Sequence, residues 1–280
     1  MNSTKASLLQ RFVNDQKAVF LSVLLLALVV RLFGIISRPI WYDESFSILF
    51  SEKGPAAMIA GTLPATGAAA EEHPLAYYTM LWLWMKVFGE SLVAVRILSI
   101  AAGLGTVCAI YLLTRELFDV KTAQIAGLFM AIAPFQVHYS QEIRMYVFLA
   151  LWLTLATYAY WRAARSKHWF WWIGFAIFAA LSQYTHNLAA FYLVALALWP
   201  LMTRDWRNLK AVIAAGSLAI LLYLPWLIHL PAQFAKIDQA YWIARPGLYR
   251  LFTLLLYFVT NRTAIPPNKI VLPRLFLHRN

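Results

Sequence analysis

Cysteine is nearly missing from this 280-residue chain. Cys108 stands alone, so no intramolecular disulfide can form. It lies inside an apolar run, where a free thiol packs as a small hydrophobe and no thiol catalyst is expected. Charge is also scarce, at 13% of residues, and acids are scarcer still, with 12 Asp and Glu against 24 Lys and Arg. Ionisable side chains are almost absent from the centres of the apolar runs, and no pair of Gly- or Pro-broken runs repeats. Both absences weigh against a transporter built on paired discontinuous spans. No tight metal-ligand spacing such as His-x-x-x-His occurs. A secretory cleavage site is lacking too: the first apolar run, Ala18 to Ile36, is too long for a signal peptide, and Ile35-Ile36-Ser37-Arg38-Pro39 lacks the small residues of a cleavage site.

What is present is hydrophobicity, 62% of residues with a mean hydropathy of +0.63. Several runs reach spanning length, so the expected fold is all-α, a polytopic transmembrane helical bundle. The net charge of +12 would suggest nucleic acid in a soluble protein. Here Lys and Arg fall mainly between apolar runs, as charges that set membrane orientation do, and no nucleic-acid partner is expected. The 12 Trp and 14 Tyr suit interfacial anchoring among membrane lipids. Spans are expected at Ala18 to Ile36, Leu92 to Leu113 and about 122–137, 145–163, 169–185, 188–203, 211–229 and 248–260, eight in all.

The acids concentrate where chemistry is to be sought. Asp43 and Glu44 follow the first run within Arg38-Pro39-Ile40-Trp41-Tyr42-Asp43-Glu44-Ser45, and Glu71-Glu72 precede His73-Pro74-Leu75-Ala76-Tyr77-Tyr78. On a helical wheel from Trp41 to Lys53, Trp41, Tyr42, Phe46, Ile48, Leu49 and Phe50 share one broad face, and Asp43, Glu44, Ser47 and Ser51 the other. The expectation is an interfacial helix with its carboxylates turned away from lipid. Gly54 to Ala70, rich in Gly, Ala, Pro and Thr, reads as a mobile loop. Pro74 to Phe88 would reach only ~22 Å as a helix, against a hydrocarbon core of ~30 Å.

If that segment lies at the interface without crossing, the basic clusters Arg115/Lys121, Arg162/Arg165/Lys167, Arg204/Arg207/Lys210 and Arg262 fall on the side of Lys5, Arg11 and Lys17, the cytoplasmic side. Asp43, Glu44, Glu71, Glu72, His73, Glu142, Arg144 and His186 then share the outer face. Charges within His138-Tyr139-Ser140-Gln141-Glu142-Ile143-Arg144-Met145-Tyr146, which opens a span almost without a linker, are costly unless they face protein or a water-filled cavity. Arg31 can snorkel to headgroups or hold a lipid phosphate. Glu44, Glu72 and Glu142 can orient hydroxyls, hold an Arg, or bind a divalent cation together with His73.

Three motifs in order carry a resemblance: Arg31 with Pro39-x-Trp41-x-Asp43-Glu44; Glu72-His73-Pro74-Leu75-x-Tyr77-Tyr78 with Phe88-Gly89 and Arg96-x-Leu98-Ser99; and Tyr139-Ser140-Gln141-Glu142-x-Arg144-x-Tyr146. From about residue 15 to about 260 the chain resembles the C-type membrane glycosyltransferases, more closely the bacterial branch related to protein O-mannosyltransferases and the lipid A aminoarabinose transferase. The resemblance implies transfer of a sugar, with inversion, from a polyprenyl-phosphate donor to a lipid, glycan or protein acceptor on the outer face of the plasma membrane. It implies Asp43 as the general base, with Glu44 and Glu142 beside it. The leaving phosphate needs a cation; Arg144 comes first, because a guanidinium matches phosphate oxygens bidentately, and Arg31, Arg96 and His73 follow. Tyr77 and Tyr78 pack at the interface or stack on sugar, and His186-Asn187 forms a further substrate-side patch.

Relatives of that kind carry more spans and often a soluble outer domain. The resemblance therefore marks residues 1–260 as a transmembrane core and 261–280, with three prolines and five cationic side chains counting His278, as a short basic tail of a C-terminally shortened chain. Two other classes stay open, a transporter or flippase for a lipid-linked or acidic solute and a non-catalytic remnant that binds such a lipid.

Overall fold

The structure, a computed structural model, describes residues 15–63, 71–166, 168–233 and 253–254. The expected span at 248–260, apart from the helical Thr253 and Leu254, and the tail 261–280 lie outside the described residues. Every regular element among the described residues is a helix, as composition requires where lipid offers the backbone no hydrogen bonds.

Helix α1 (Gln16–Leu32) is capped by Asp15 and is followed by two short helices, α2 (Tyr42–Glu52) and α3 (Gly54–Thr62). The loop expected from 54 to 70 is thus helical over its first half, because Pro55 stands in the first turn, where its missing N–H costs nothing; residues 64–70 lie outside the described residues. Helix α4 (Ala76–Phe88) has 13 residues, about 20 Å of helix, short of a bilayer. The long α5 (Leu92–Leu117), capped by Ser91, leads to α6 (Val120–Ile132) and α7 (Pro134–Ser140), which meet at a 60° bend. Helices α8 (Tyr146–Arg165), α9 (Phe170–Thr185), α10 (Ala189–Met202) and α11 (Trp206–Leu227) complete the bundle.

By length and apolarity α5 and α11 can each cross a membrane, and α6 with α7 can do so as one bent span. Leu21, Leu25 and Val29 of α1, Phe129 of α6, Phe191 of α10 and Leu221 of α11 are exposed. That much bare apolar surface marks an integral membrane protein whose outside is lipid. Helix α8 packs against α5 and α9, α6 against α5 and α1, and α9 against α11. Buried Ala156, Ala159, Ala176 and Ala179 sit in one core of the α8, α9 and α11 packing, where small side chains let helices approach closely. A second core, around Tyr77, Tyr78, Leu81, Val95, Ile143, Met145 and Phe148, underlies the polar groups described next.

Candidate active site

The bend between α6 and α7 follows from Pro134, which has no N–H to give the Met130 carbonyl. Arg31 reaches this break: Nη1 donates to Ala131 O at 2.9 Å and to Ala27 O of its own helix at 3.2 Å, Nη2 to Met130 O at 3.2 Å, and Nε to Ser140 Oγ at 3.1 Å. A cation suits this helix C-terminus. Arg31 is 0% exposed, so the expectation that it snorkels to headgroups is corrected: protein carbonyls, not water or headgroups, solvate it.

Arg96, also fully buried, organises the stretch after α1. Its Nη1 donates to Ile35 O at 2.5 Å and Arg38 O at 2.9 Å, and its Nη2 reaches Pro39 O and Glu44 Oε2, both at 3.4 Å. Glu44 Oε1 accepts from the Ile143 N–H at 3.0 Å. Here the helical wheel is refined: the polar stripe turns inward as expected, but it meets protein and not water, and Phe50 of the apolar set is buried with it. Glu44, Ser47 and Ser51 form the buried side of α2, whereas Tyr42 is 81% and Leu49 60% exposed. With lipid as the surroundings, the polar stripe turns into the protein and part of the apolar stripe faces out.

Arg144 stands where α2, α4 and the segment 141–145 meet. Nη1 donates to Ser47 Oγ and to the Tyr78 hydroxyl, each at 3.2 Å, and Nη2 lies 4.0 Å from Asp43 Oδ2. Nε is buried and has no hydrogen-bond partner, and the guanidinium sits 5.8 Å from the centre of the Tyr146 ring. The Asp43 side chain is 33% exposed. Tyr78 in turn donates to Glu71 Oε2. Glu71 Oε1 accepts from the backbone N–H of Glu72 at 2.8 Å and of His73 at 3.0 Å, and meets His73 Nδ1 at 2.6 Å. The His73 ring makes an edge contact with His186 at 4.7 Å, and Tyr77 lies buried edge-on to Tyr78 at 5.5 Å.

Contacts therefore link Asp43, Arg144, Tyr78, Glu71, His73 and His186 into one chain of polar groups. Glu72 is not part of it; its side chain is exposed, and the buried position belongs to its neighbour Glu71. Glu142 has other company. Its Oε1 accepts from Arg38 Nη2 at 2.9 Å and lies 3.0 Å from His138 Nε2, while Oε2 is buried without a partner. Sequence reasoning placed Glu71 on the outer face but gave the role to Glu72, and it did not single out Arg38, Ser47 or His138 as site residues; the available signal was position alone, each falling inside a flagged stretch. Among the described residues no group of three or more His, Cys, Asp or Glu side chains is arranged to hold a metal ion.

Burial works to raise the Glu71 carboxyl, but the His73 hydrogen bond and charge, together with Tyr78, outweigh it and bring the group down to about 2. Burial, then the nearby His73 and Arg144, pushes the His186 imidazole down to about 4. Both shifts make acid destabilising, in separate windows. His186 contributes above its ordinary 6.5, and that contribution is lost as pH falls towards 4. Glu71 contributes above its ordinary 4.5, and its contribution, about 3 kcal/mol, is lost as pH falls towards 2. Melting curves of the detergent-solubilised protein should fall in both windows. His186→Gln should flatten the upper one and Glu71→Gln the lower; a parallel acid response in all three proteins would contradict the assignment.

More than half of the chain, residues 72–229, matches the family model described as dolichyl-phosphate-mannose-protein mannosyltransferase. The match covers Glu71's neighbours, Tyr78, Arg96, Glu142, Arg144 and His186, and begins after Asp43 and Glu44. The chain is also similar to the undecaprenyl phosphate-alpha-4-amino-4-deoxy-L-arabinose arabinosyl transferases of two Pseudomonas aeruginosa strains, 32% and 31% identical over 179 residues. The enzyme of the same name from Pseudomonas paraeruginosa is 31% identical over 179 residues. Each alignment covers 61% of this chain and 32% of the relative, so the matched part spans about a third of the length of these curated relatives. With a buried arginine and an adjacent carboxylate inside a helical membrane bundle, and with the family model covering more than half of its residues, the chain belongs to the dolichyl-phosphate-mannose-protein mannosyltransferase family.

Proposed function

We propose that this protein is a membrane glycosyltransferase of a bacterial plasma membrane, taking a sugar from a polyprenyl-phosphate donor and passing it, with inversion, to a lipid, glycan or protein acceptor on the outer face. The observation that carries the reading is the Asp43–Arg144 pair at 4.0 Å. Nη1 of Arg144 is committed to Ser47 and Tyr78, Nη2 lies 4.0 Å from Asp43, and Nε is buried without a hydrogen-bond partner. The Nε–Nη2 edge is the one we assign to two phosphate oxygens side by side. Asp43, a third exposed and beside that edge, takes the proton from the acceptor hydroxyl or amine as its oxygen or nitrogen bonds to the anomeric carbon. The bond from that carbon to the phosphate oxygen breaks, and polyprenyl phosphate leaves with the electron pair, its growing charge met by Arg144.

Glu44 and Arg96 fix the segment after α1 and the Ile143 backbone on which these two groups depend. Tyr78, Glu71 and His73 brace Arg144 from the other side. Eight spans with a cytoplasmic amino end, and α4 lying at the interface without crossing, would put this machinery on the outer face.

The test is mass spectrometry of lipid-linked sugars and surface glycans from cells with and without the gene. Loss of the gene should cause one polyprenyl-phosphate sugar to accumulate and one surface glycan to lose that sugar. Unchanged amounts of both would overturn the proposal.

A further inference from the structure

Gly103 lies in the middle of α5, where its one conspicuous property is the absence of a Cβ. A methyl group there would overlap Ser140 Oγ, and would come within 2.8 Å of Ser140 Cβ and 3.0 Å of Arg31 Nε. Glycine is a poor choice for a helix interior unless something must approach the backbone. What approaches here is the seam between α7 and the segment carrying Glu142 and Arg144. Ser140 donates to Gln136 O at 2.6 Å and accepts from Arg31 Nε. The next side chain, Gln141, donates to the carbonyls of Arg31 and Phe33 at 2.9 and 2.8 Å. Arg31 thus holds Ser140 through its side chain and Gln141 through its backbone, and Ser140 is seated directly against Gly103. Two residues further on, the Ile143 N–H meets Glu44, and Arg144 meets Ser47 and Asp43.

We propose that Gly103, with Arg31 and Ser140, is a positioning element for the transfer reaction: the missing side chain sets the depth of the 140–144 segment and so the placement of the Arg144 guanidinium beside Asp43. None of the three touches the reacting atoms in this account, which rests on the glycosyl-transfer reading given above. The clamp holds Ser140 and Gln141 and works on Arg144 through the backbone between them.

The test is Gly103→Ala in the full chain, alongside Ser140→Gly and the double variant, in detergent or nanodiscs. Gly103→Ala should lower kcat at least tenfold with KM for the polyprenyl-phosphate sugar changed less than threefold. The double variant, which removes the two nearest clashing atoms, should recover most of that loss. Hydrogen exchange supplies a readout independent of catalysis: the Ile143 amide should lose at least tenfold of its protection in Gly103→Ala and regain it in the double variant. Wild-type transfer rates and unchanged Ile143 exchange in Gly103→Ala would overturn the proposal. If Gly103→Ala does not fold, the double variant, which opens the space again, decides: its failure to fold or to protect the Ile143 amide also overturns the proposal. If the wild type transfers no sugar from any donor, the functional reading fails, and the exchange data still judge the clamp.

Discussion

Asp43→Asn is expected to lower sugar transfer by roughly a hundred- to ten-thousand-fold, the usual contribution of a positioned base, while binding of the polyprenyl-phosphate donor stays within a few-fold of wild type. The substitution keeps the shape of the side chain and its place at the start of α2, and removes the negative charge, hence the ability to accept the proton and the 4.0 Å ion pair with Arg144. Donor binding should survive because it rests on Arg144, whose contacts to Ser47 and Tyr78 do not involve the Asp43 carboxylate. Single-turnover transfer and equilibrium binding of the donor, measured on one preparation, separate the two effects. Equal transfer by the wild type and Asp43→Asn would remove the base from this account, and a joint loss of binding and transfer would move Asp43 into donor recognition.

Arg144→Lys should cost nearly as much, roughly a hundred- to a thousand-fold in kcat, about 3–4 kcal/mol of transition-state stabilisation. Lysine keeps the charge. It cannot donate to Ser47 and Tyr78 while offering a parallel pair of N–H groups to a phosphate, because the ammonium is a point charge and the guanidinium a planar fork. The loss should be larger with donors that have poor leaving groups, since the role assigned to Arg144 is to meet charge as it develops. Comparing phosphate- and thiophosphate-linked donors in wild type and Arg144→Lys would reveal that dependence. A loss confined to KM would mean that Arg144 grips the donor equally in ground and transition states.

Much of the fold and part of this site are legible in the residues alone, for a physical reason. In a chain with 12 acidic residues, any carboxylate near a membrane boundary stands out, and charges at the start of a helix such as α8 must find protein partners. Glu142 and Arg144 do so. The choice between Glu71 and Glu72 was not legible. It depends on a backbone turn in which the Glu71 carboxylate accepts from the two N–H groups that follow it, and hydropathy carries no trace of that turn. An amphipathic wheel gives the two faces of α2 without saying that the polar one, Glu44 with Ser47 and Ser51, meets protein and not water. Arg38 escaped notice as a loop charge beside Pro39, although its guanidinium spans a hundred residues to reach Glu142 and the His138 carbonyl.

The two buried arginines have a consequence for how the chain is made. Arg31 depends on Met130, Ala131 and Ser140, from 99 to 109 residues later in sequence. At ordinary ribosomal speeds that is a wait of roughly 5–20 s. Until then, of these acceptors only the Ala27 carbonyl of its own helix α1 has been made, and the broken helix pair that supplies the others has still to emerge. Arg96 has the opposite timing: its acceptors at Ile35, Arg38 and Pro39 are already synthesised when it appears. The order of biogenesis is therefore written into the partners of two side chains, with α5 able to dock at once and α1 left provisional until Pro134 has bent the chain.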